Sequence, residues 1–191
     1  MTTRAEAAAR TARDILAAAA ALWRERPLDE ITLAAIAGRA GVSVRTVIRR
    51  FGSREGVIAA CIEADAAGIV AERDQVAPGD VDGALDVLLA HYERDGDAVL
   101  RTLALEETVA EAKAIAEAGR AGHRAWCARV FAPHLPSPAD AAHAVRLDAF
   151  VAATDLFAWK LLRRDLHRSA DETRRVIRTL VEGLLSLPDP A

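Results

Sequence analysis

Residues 32–51, TLAAIAGRAGVSVRTVIRRF, leave room for two helices of only about two turns each, and they constrain the fold more than any other stretch. Thr32 can cap the first, in which Leu33, Ile36, Ala37 and Ala40 share one face. Gly41 can take the left-handed conformation that ends it. Ser43 can cap the second, whose Val47 and Phe51 lie on a common inner side before Gly52 breaks the helix. Helices this short bury too little to persist alone and need a longer partner. The preceding segment supplies one: Ala12, Ile15, Leu16, Ala19, Leu22 and Trp23 recur at helical spacing until Pro27 stops them. Two short helices joined at a glycine turn make a helix-turn-helix. The plain alternative is a surface helical hairpin with a solvated charged face.

With Val47 and Phe51 turned inward, Val44, Arg45, Thr46, Ile48 and Arg49 take outer or flanking positions on the second helix. That set suits the major groove of DNA. Arginine reads guanine through paired donors, threonine reaches bases or phosphates, and a valine or isoleucine can rest on a thymine methyl. Charge agrees once the chain is divided. Residues 1–55 hold ten arginines against six acids, a net +4 that leaves −7 to the remainder of a chain whose total is −3. A cationic head on an acidic body attracts polyanions in one orientation.

Beyond residue 53 the spacing predicts longer helices. Ser53 caps one that runs through Ile58, Ile62 and Ile69 toward Asp74, and QVAPGD at 75–80 is a loop. Two moderate helices follow at about 81–94 and 97–104, then a long one from Leu105 to Phe131. PHLPSP at 133–138 is a break, after which Ser137 and Pro138 open a helix that carries its apolar pattern to Leu162. SADE at 169–172 is a capping box, and the last helix carries Val176, Ile177, Leu180, Val181, Leu184 and Leu185 before Pro188. A hydrophobic fraction of 52% with only 4% aromatics also favours helices over sheets. Cys61 and Cys127 suggest neither a disulfide framework nor a cysteine-based metal site. Arg4, Arg10 and Arg13 before ILAAAAALW resemble a secretory signal, but Glu6, Asp14 and the helical spacing count against it. No apolar run approaches the roughly 20 residues of a membrane span, so a cytoplasmic protein without membrane attachment is expected.

TARDILAAAAALW followed by ITLAAIAGRAGVSVRTVIRRFGSREGVI resembles the N-terminal DNA-binding domain of the TetR family of bacterial transcriptional regulators. The resemblance covers about the first 60 residues, including the Ser53–Arg54–Glu55 opening of the fourth helix. It implies an all-α protein of about nine helices: a three-helix helix-turn-helix domain at 1–53 and a larger helical effector-binding and dimerisation domain at 54–191. The resemblance further implies a homodimer joined through the last two long helices and a near-palindromic operator. By the same resemblance Thr32 and Ser43 stand at helix starts facing phosphates, Val44, Arg45 and Thr46 face bases, and Arg54 approaches the DNA backbone. The chain departs from the family where Ile48 and Arg50 replace common aromatics, where Gly52 replaces a frequent proline, and where RERPLDEIT lacks the usual glycine after the first helix. Arg49 or Arg50 is expected to replace the lost aromatic contact with a charge-assisted phosphate bond.

Other residues point less sharply. His123 and Cys127 share a helical face, but no third or fourth metal ligand accompanies them. Glu106 with Glu107, and Asp95 with Asp97, are expected beside helix ends as solvated groups, with no nucleophile, base or phosphate loop nearby. Neither a catalytic site nor a cofactor is therefore expected. Trp126, Phe150, Phe157 and Trp159 are more often core or dimer contacts in such a body than cavity walls. Trp126 and Phe150, with Tyr92, His123 and Thr154, are the candidates for an effector pocket. The function expected is a sequence-specific regulator, a repressor released from its operator by a small-molecule effector. The alternatives are a helical carrier or enzyme with an incidental basic head, and a regulator without an effector.

Overall fold

The computed structural model describes residues 3–187, and every regular element among them is helical. Helix α1 (Arg4–Glu25) opens with a capping box between Thr3 and Glu6 and buries Ile15, Ala18, Ala19 and Leu22, so the apolar run that resembled a signal is a core face. A single 3₁₀ turn, Leu28–Glu30, leads to α2 (Leu33–Arg39) and α3 (Val44–Phe51). Both short helices begin as the sequence predicts: Thr32 Oγ1 accepts from Ala35 N at 3.1 Å, and Ser43 Oγ accepts from Thr46 N at 3.2 Å. The turn between them uses Gly41 at φ +66°, and α3 ends at Gly52, φ +79°. L-residues with a Cβ strain at such angles.

Three long helices follow: α4 (Arg54–Asp74), α5 (Val81–Leu103) and α6 (Ala110–Val130). Here the structure revises the expected boundaries. The two helices expected at 81–94 and 97–104 are one, because nothing between Arg94 and Asp97 breaks it and the buried side of α5 continues through Asp95 to Ala98 and Thr102. Asp95 consequently lies inside a helix and is 1% exposed rather than solvated at an end. The helix expected from Leu105 starts only at Ala110, after a series of turns at 104–108. The long helix expected to reach Leu162 starts later and is divided. Asp140, not Ser137, caps α7 (Ala141–Ala153), and Asp155 caps a separate α8 (Leu156–Lys160) that widens into a π-helical turn over Leu161–Asp165. Helix α9 (Ala170–Leu185) begins at the Ser169–Glu172 capping box. Pro188, its expected stop, lies outside the described residues.

The chain packs as two units that do not follow chain order. The first comprises the described residues through Gly68 together with Asp97–Glu117; the second comprises Ile69–Gly96 and the described residues from Ala118 onward. In the first unit Ile15, Leu22, Ile31, Ile36, Ala37, Val47, Val57 and Ala112 form one buried cluster, with Phe51 packed against it. In the second, Phe131 and Phe150 stack with centroids 4.2 Å apart, and Trp159, Ile177 and Val181 are fully buried. There α9 lies against α7 and α8.

Candidate nucleic-acid interface

Helix α3 presents two unlike sides. Val47 is fully buried and Phe51 half-buried, which fixes the rotation of the helix on α1 and α2. The remaining positions then face outward: Val44, Arg45, Ile48, Arg49 and Arg50 are exposed, and Thr46 is half-exposed. Val44 at 37% and Ile48 at 45% are unusually open for apolar side chains of a folded head. The side chains of Arg45, Arg49 and Arg50 make no hydrogen bond or ion pair among the described residues. Nearby Arg39, by contrast, is held by Glu25 through both terminal nitrogens, which also holds the Glu25 carboxyl below its usual range. The outer side of α3 thus carries three cations in water, two open apolar groups and one hydroxyl. Ser43 is exposed at its N-terminus, where the hydroxyl accepts from Thr46 N and lies 2.9 Å from Thr46 Oγ1. Thr32 has the equivalent position on α2, exposed and engaged as a cap.

Arg54 is held differently from the arginines of α3. Its Nε donates to Ile31 O at 2.7 Å, its Nη2 to Leu28 O at 2.5 Å, and its Nη1 to Glu111 at 3.2 Å. Leu28 and Ile31 are nearly fully buried and belong to the segment that lacks the family's glycine. The guanidinium therefore pins the α1–α2 connection from inside the head, and three of its five donors are consumed there. The structure does not bring Arg54 out to join the exposed cations of α3.

The second unit gathers the other sequence candidates. Tyr92 and Phe150 are buried with His123, Trp126 and Thr154. Tyr92 donates its hydroxyl to Thr154 O at 3.0 Å, and Thr154 Oγ1 lies 3.1 Å from His123 Nε2. His123 stacks on Trp126 with centroids 5.9 Å apart, and Trp126 meets Phe131 edge-on. Cys127 Sγ lies 3.6 Å from His123 Nε2 and 3.5 Å from Thr154 Oγ1. Burial pushes the Cys127 thiol up to about 11.

One member of this cluster left no trace in the sequence pattern. Arg73, in the last turn of α4, is 8% exposed, with its guanidinium 4.9 Å from the Trp126 ring centroid. Burial lowers its pKa, and its charge acts in turn on both neighbouring histidines. Burial first and Arg73 second push His91 and His123 down to about 4, so both rings are neutral at pH 7. Burial likewise raises the Tyr92 phenol above its usual range. Nothing local marks Arg73 among the surrounding AERDQ, whereas the aromatic and histidine positions could be found by composition and helical spacing.

Comparison with known proteins bears on the head. Residues 15–61 match the model for bacterial regulatory proteins of the tetR family. The head is of the TetR family. That match includes the whole of α2 and α3 and ends within α4. No curated protein matches the chain in sequence. In overall fold the chain resembles a crystal structure of a protein assigned as a transcriptional regulator in Pseudomonas aeruginosa PAO1, with a TM-score of 0.70 and 14% identity over 92% of this chain and 90% of that one. A TetR-type head with a bare, cationic second helix is the equipment of a DNA-binding transcriptional regulator. No described helix is long and apolar enough to cross a membrane.

Proposed function

We propose that the chain is a dimeric, cytoplasmic transcriptional repressor that places α3 in the major groove and leaves its operator when a small molecule binds the second unit. The observation that carries the reading is the outer side of α3, where Arg45, Arg49 and Arg50 stand exposed with no internal partner beside Val44, Thr46 and Ile48. In this reading Val44, Arg45 and Thr46 meet base edges, Ile48 rests on a thymine methyl, and Arg49 and Arg50 hold phosphates. Ser43 and Thr32 add hydroxyl contacts to the backbone at the two helix starts. Arg54 acts from behind, holding the loop on which α2 is mounted.

A second copy supplies the other half of the operator contact. Phe157 and Leu161 project from α8 and its π-helical turn at 58% and 50% exposure, and Val176 and Leu180 from α9 at 39% and 48%. An apolar surface of this kind on two packed helices favours pairing with its own copy in a four-helix contact. The paired recognition helices then stand about 34–36 Å apart, one turn of DNA. Tyr92, His123, Trp126, Phe150 and Thr154 supply the effector contacts. An effector shifts the dimer only as far as it binds the two forms unequally, and a coupling of about 1–3 kcal/mol changes operator affinity roughly 5- to 150-fold.

Selection from random duplex DNA by the purified protein tests this reading. A near-palindromic consensus with half-sites about one helical turn apart is the expected outcome. Failure to enrich any sequence would contradict it.

A further inference from the structure

Among the described residues of the second unit, Thr173 Oγ1 and three further buried polar atoms lack a hydrogen-bond partner, and the side chains of those three meet at the Trp126 ring. The three are Arg73 Nε, His123 Nδ1 and Trp126 Nε1. The three residues are 8%, 8% and 5% exposed. The Arg73 guanidinium and the His123 ring both lie against the Trp126 ring, at 4.9 Å and 5.9 Å from its centroid. Proteins leave few buried polar atoms unpaired, and three gathered around one ring demand an explanation. Neither acid adjacent to Arg73 in sequence bonds its guanidinium, since Glu72 pairs with Arg94 and Asp74 with Arg129, although the Glu72 charge still acts on it.

The hydrogen bonds around His123 assign the roles. Thr154 Oγ1 gives its only proton to Phe150 O at 2.7 Å, so it can only accept from His123 Nε2 at 3.1 Å. The proton of the neutral ring is therefore on Nε2, and Nδ1 is a bare acceptor. The unpaired set then consists of a cationic N–H on Arg73, a neutral N–H on Trp126 and an acceptor on His123. A carboxylate answers both donors and the charge; a hydroxyl beside it answers His123. The rings of Trp126, Phe131 and Phe150, successive neighbours in contact, suit a flat apolar body.

We propose that Arg73, His123 and Trp126 are the polar contacts of a site for a small organic anion, a flat carboxylate with a hydroxyl next to the carboxyl group. Its regulatory meaning rests on the effector reading above, whereas the existence of the site does not. An apolar residue in place of a buried cation whose Nε has no hydrogen-bond partner relieves the unliganded protein, so Arg73→Met should unfold at the same or a higher temperature than the wild type while losing the site.

Thermal unfolding of the full chain tests this with 2-hydroxybenzoate, benzoate and the uncharged benzamide as probes. The expected result is a rise in Tm of about 3–6 °C with 2-hydroxybenzoate at roughly ten times its Kd, a smaller rise with benzoate, none with benzamide, and none with any probe in Arg73→Met. Arg73→Gln replaces the methionine variant if that chain fails to fold. No Arg73-dependent rise with either carboxylate, or an equal rise with benzamide, overturns the proposal. Affinity for the selected operator is read in parallel. Arg73-dependent binding of 2-hydroxybenzoate that leaves operator affinity unchanged would sustain the site and overturn the effector reading.

Discussion

The arginines of α3 and the arginine at the end of α4 carry the same charge in opposite surroundings. Arg45, Arg49 and Arg50 lie in water with no internal partner, and Arg73 is more than nine-tenths buried with its Nε unpaired. An exposed cation costs the fold almost nothing and keeps its whole field for an incoming polyanion. A buried one is unfavourable to the unliganded fold and is tolerated where something else makes use of it. Both regions are thus organised around anions, one around the extended surface of DNA and the other around a single small group. Arg54 shows the third possibility, a guanidinium spent on internal carbonyls, and it alone of these five arginines acts mainly through stability.

Acidification separates the regions most strongly. His91 and His123 are held at about 4 in the folded chain, below the ordinary value of 6.5 that the unfolded chain retains. The unfolded state therefore binds more protons between those values, and stability falls as pH drops through that window. Between pH 7 and pH 5 each histidine should remove on the order of 2 kcal/mol. Urea unfolding at the two pH values checks this, and His123→Asn should abolish about half of the difference. The outer side of α3 carries neither a histidine nor an acid, so DNA affinity measured on the still-folded fraction should change little.

Replacing Arg54 tests the boundary between the two behaviours. Arg54→Ala leaves the Ile31 carbonyl without its Arg54 donor and the Leu28 carbonyl with only the Ile31 N–H, and should cost about 2–4 kcal/mol of stability in urea. A variant that kept its stability and lost DNA affinity alone would return Arg54 to the group of phosphate ligands. The smallest effect is expected at α3 itself. Arg49→Ala or Arg50→Ala should leave the urea midpoint unchanged and weaken binding by about 1 kcal/mol on every sequence, with a reduction of roughly one in the salt slope.

Legibility in the sequence followed the range of the interactions. The limits of α2 and α3, the caps at Thr32 and Ser43, the turn at Gly41 and the inward Val47 depend on neighbours a few residues away, and all could be read directly. So could the clustering tendency of Tyr92, His123, Trp126, Phe150 and Thr154, although their mutual hydrogen bonds could not. Arg54 was opaque because its partners are 23, 26 and 57 residues away and two of them are carbonyls, which carry no side-chain signal. The division at Thr154 has no sequence signal because the apolar pattern continues across it, while Asp155 caps a new helix there. Arg73 is not legible because an arginine in the last turn of a helix ordinarily offsets the helix dipole in water, and only tertiary packing makes it an interior residue.

The outer side of α3 as a reader of DNA sequence is the central claim, and affinity for the selected operator and for random duplex, measured for the wild type and for Arg45→Ala over a range of salt, tests it most directly. The account predicts a loss of about 1–3 kcal/mol on the operator, confined to one base pair of each half-site, with random-duplex affinity nearly unchanged. Equal losses on operator and random DNA would contradict it, leaving Arg45 one more phosphate contact and the specificity of the head to be sought elsewhere.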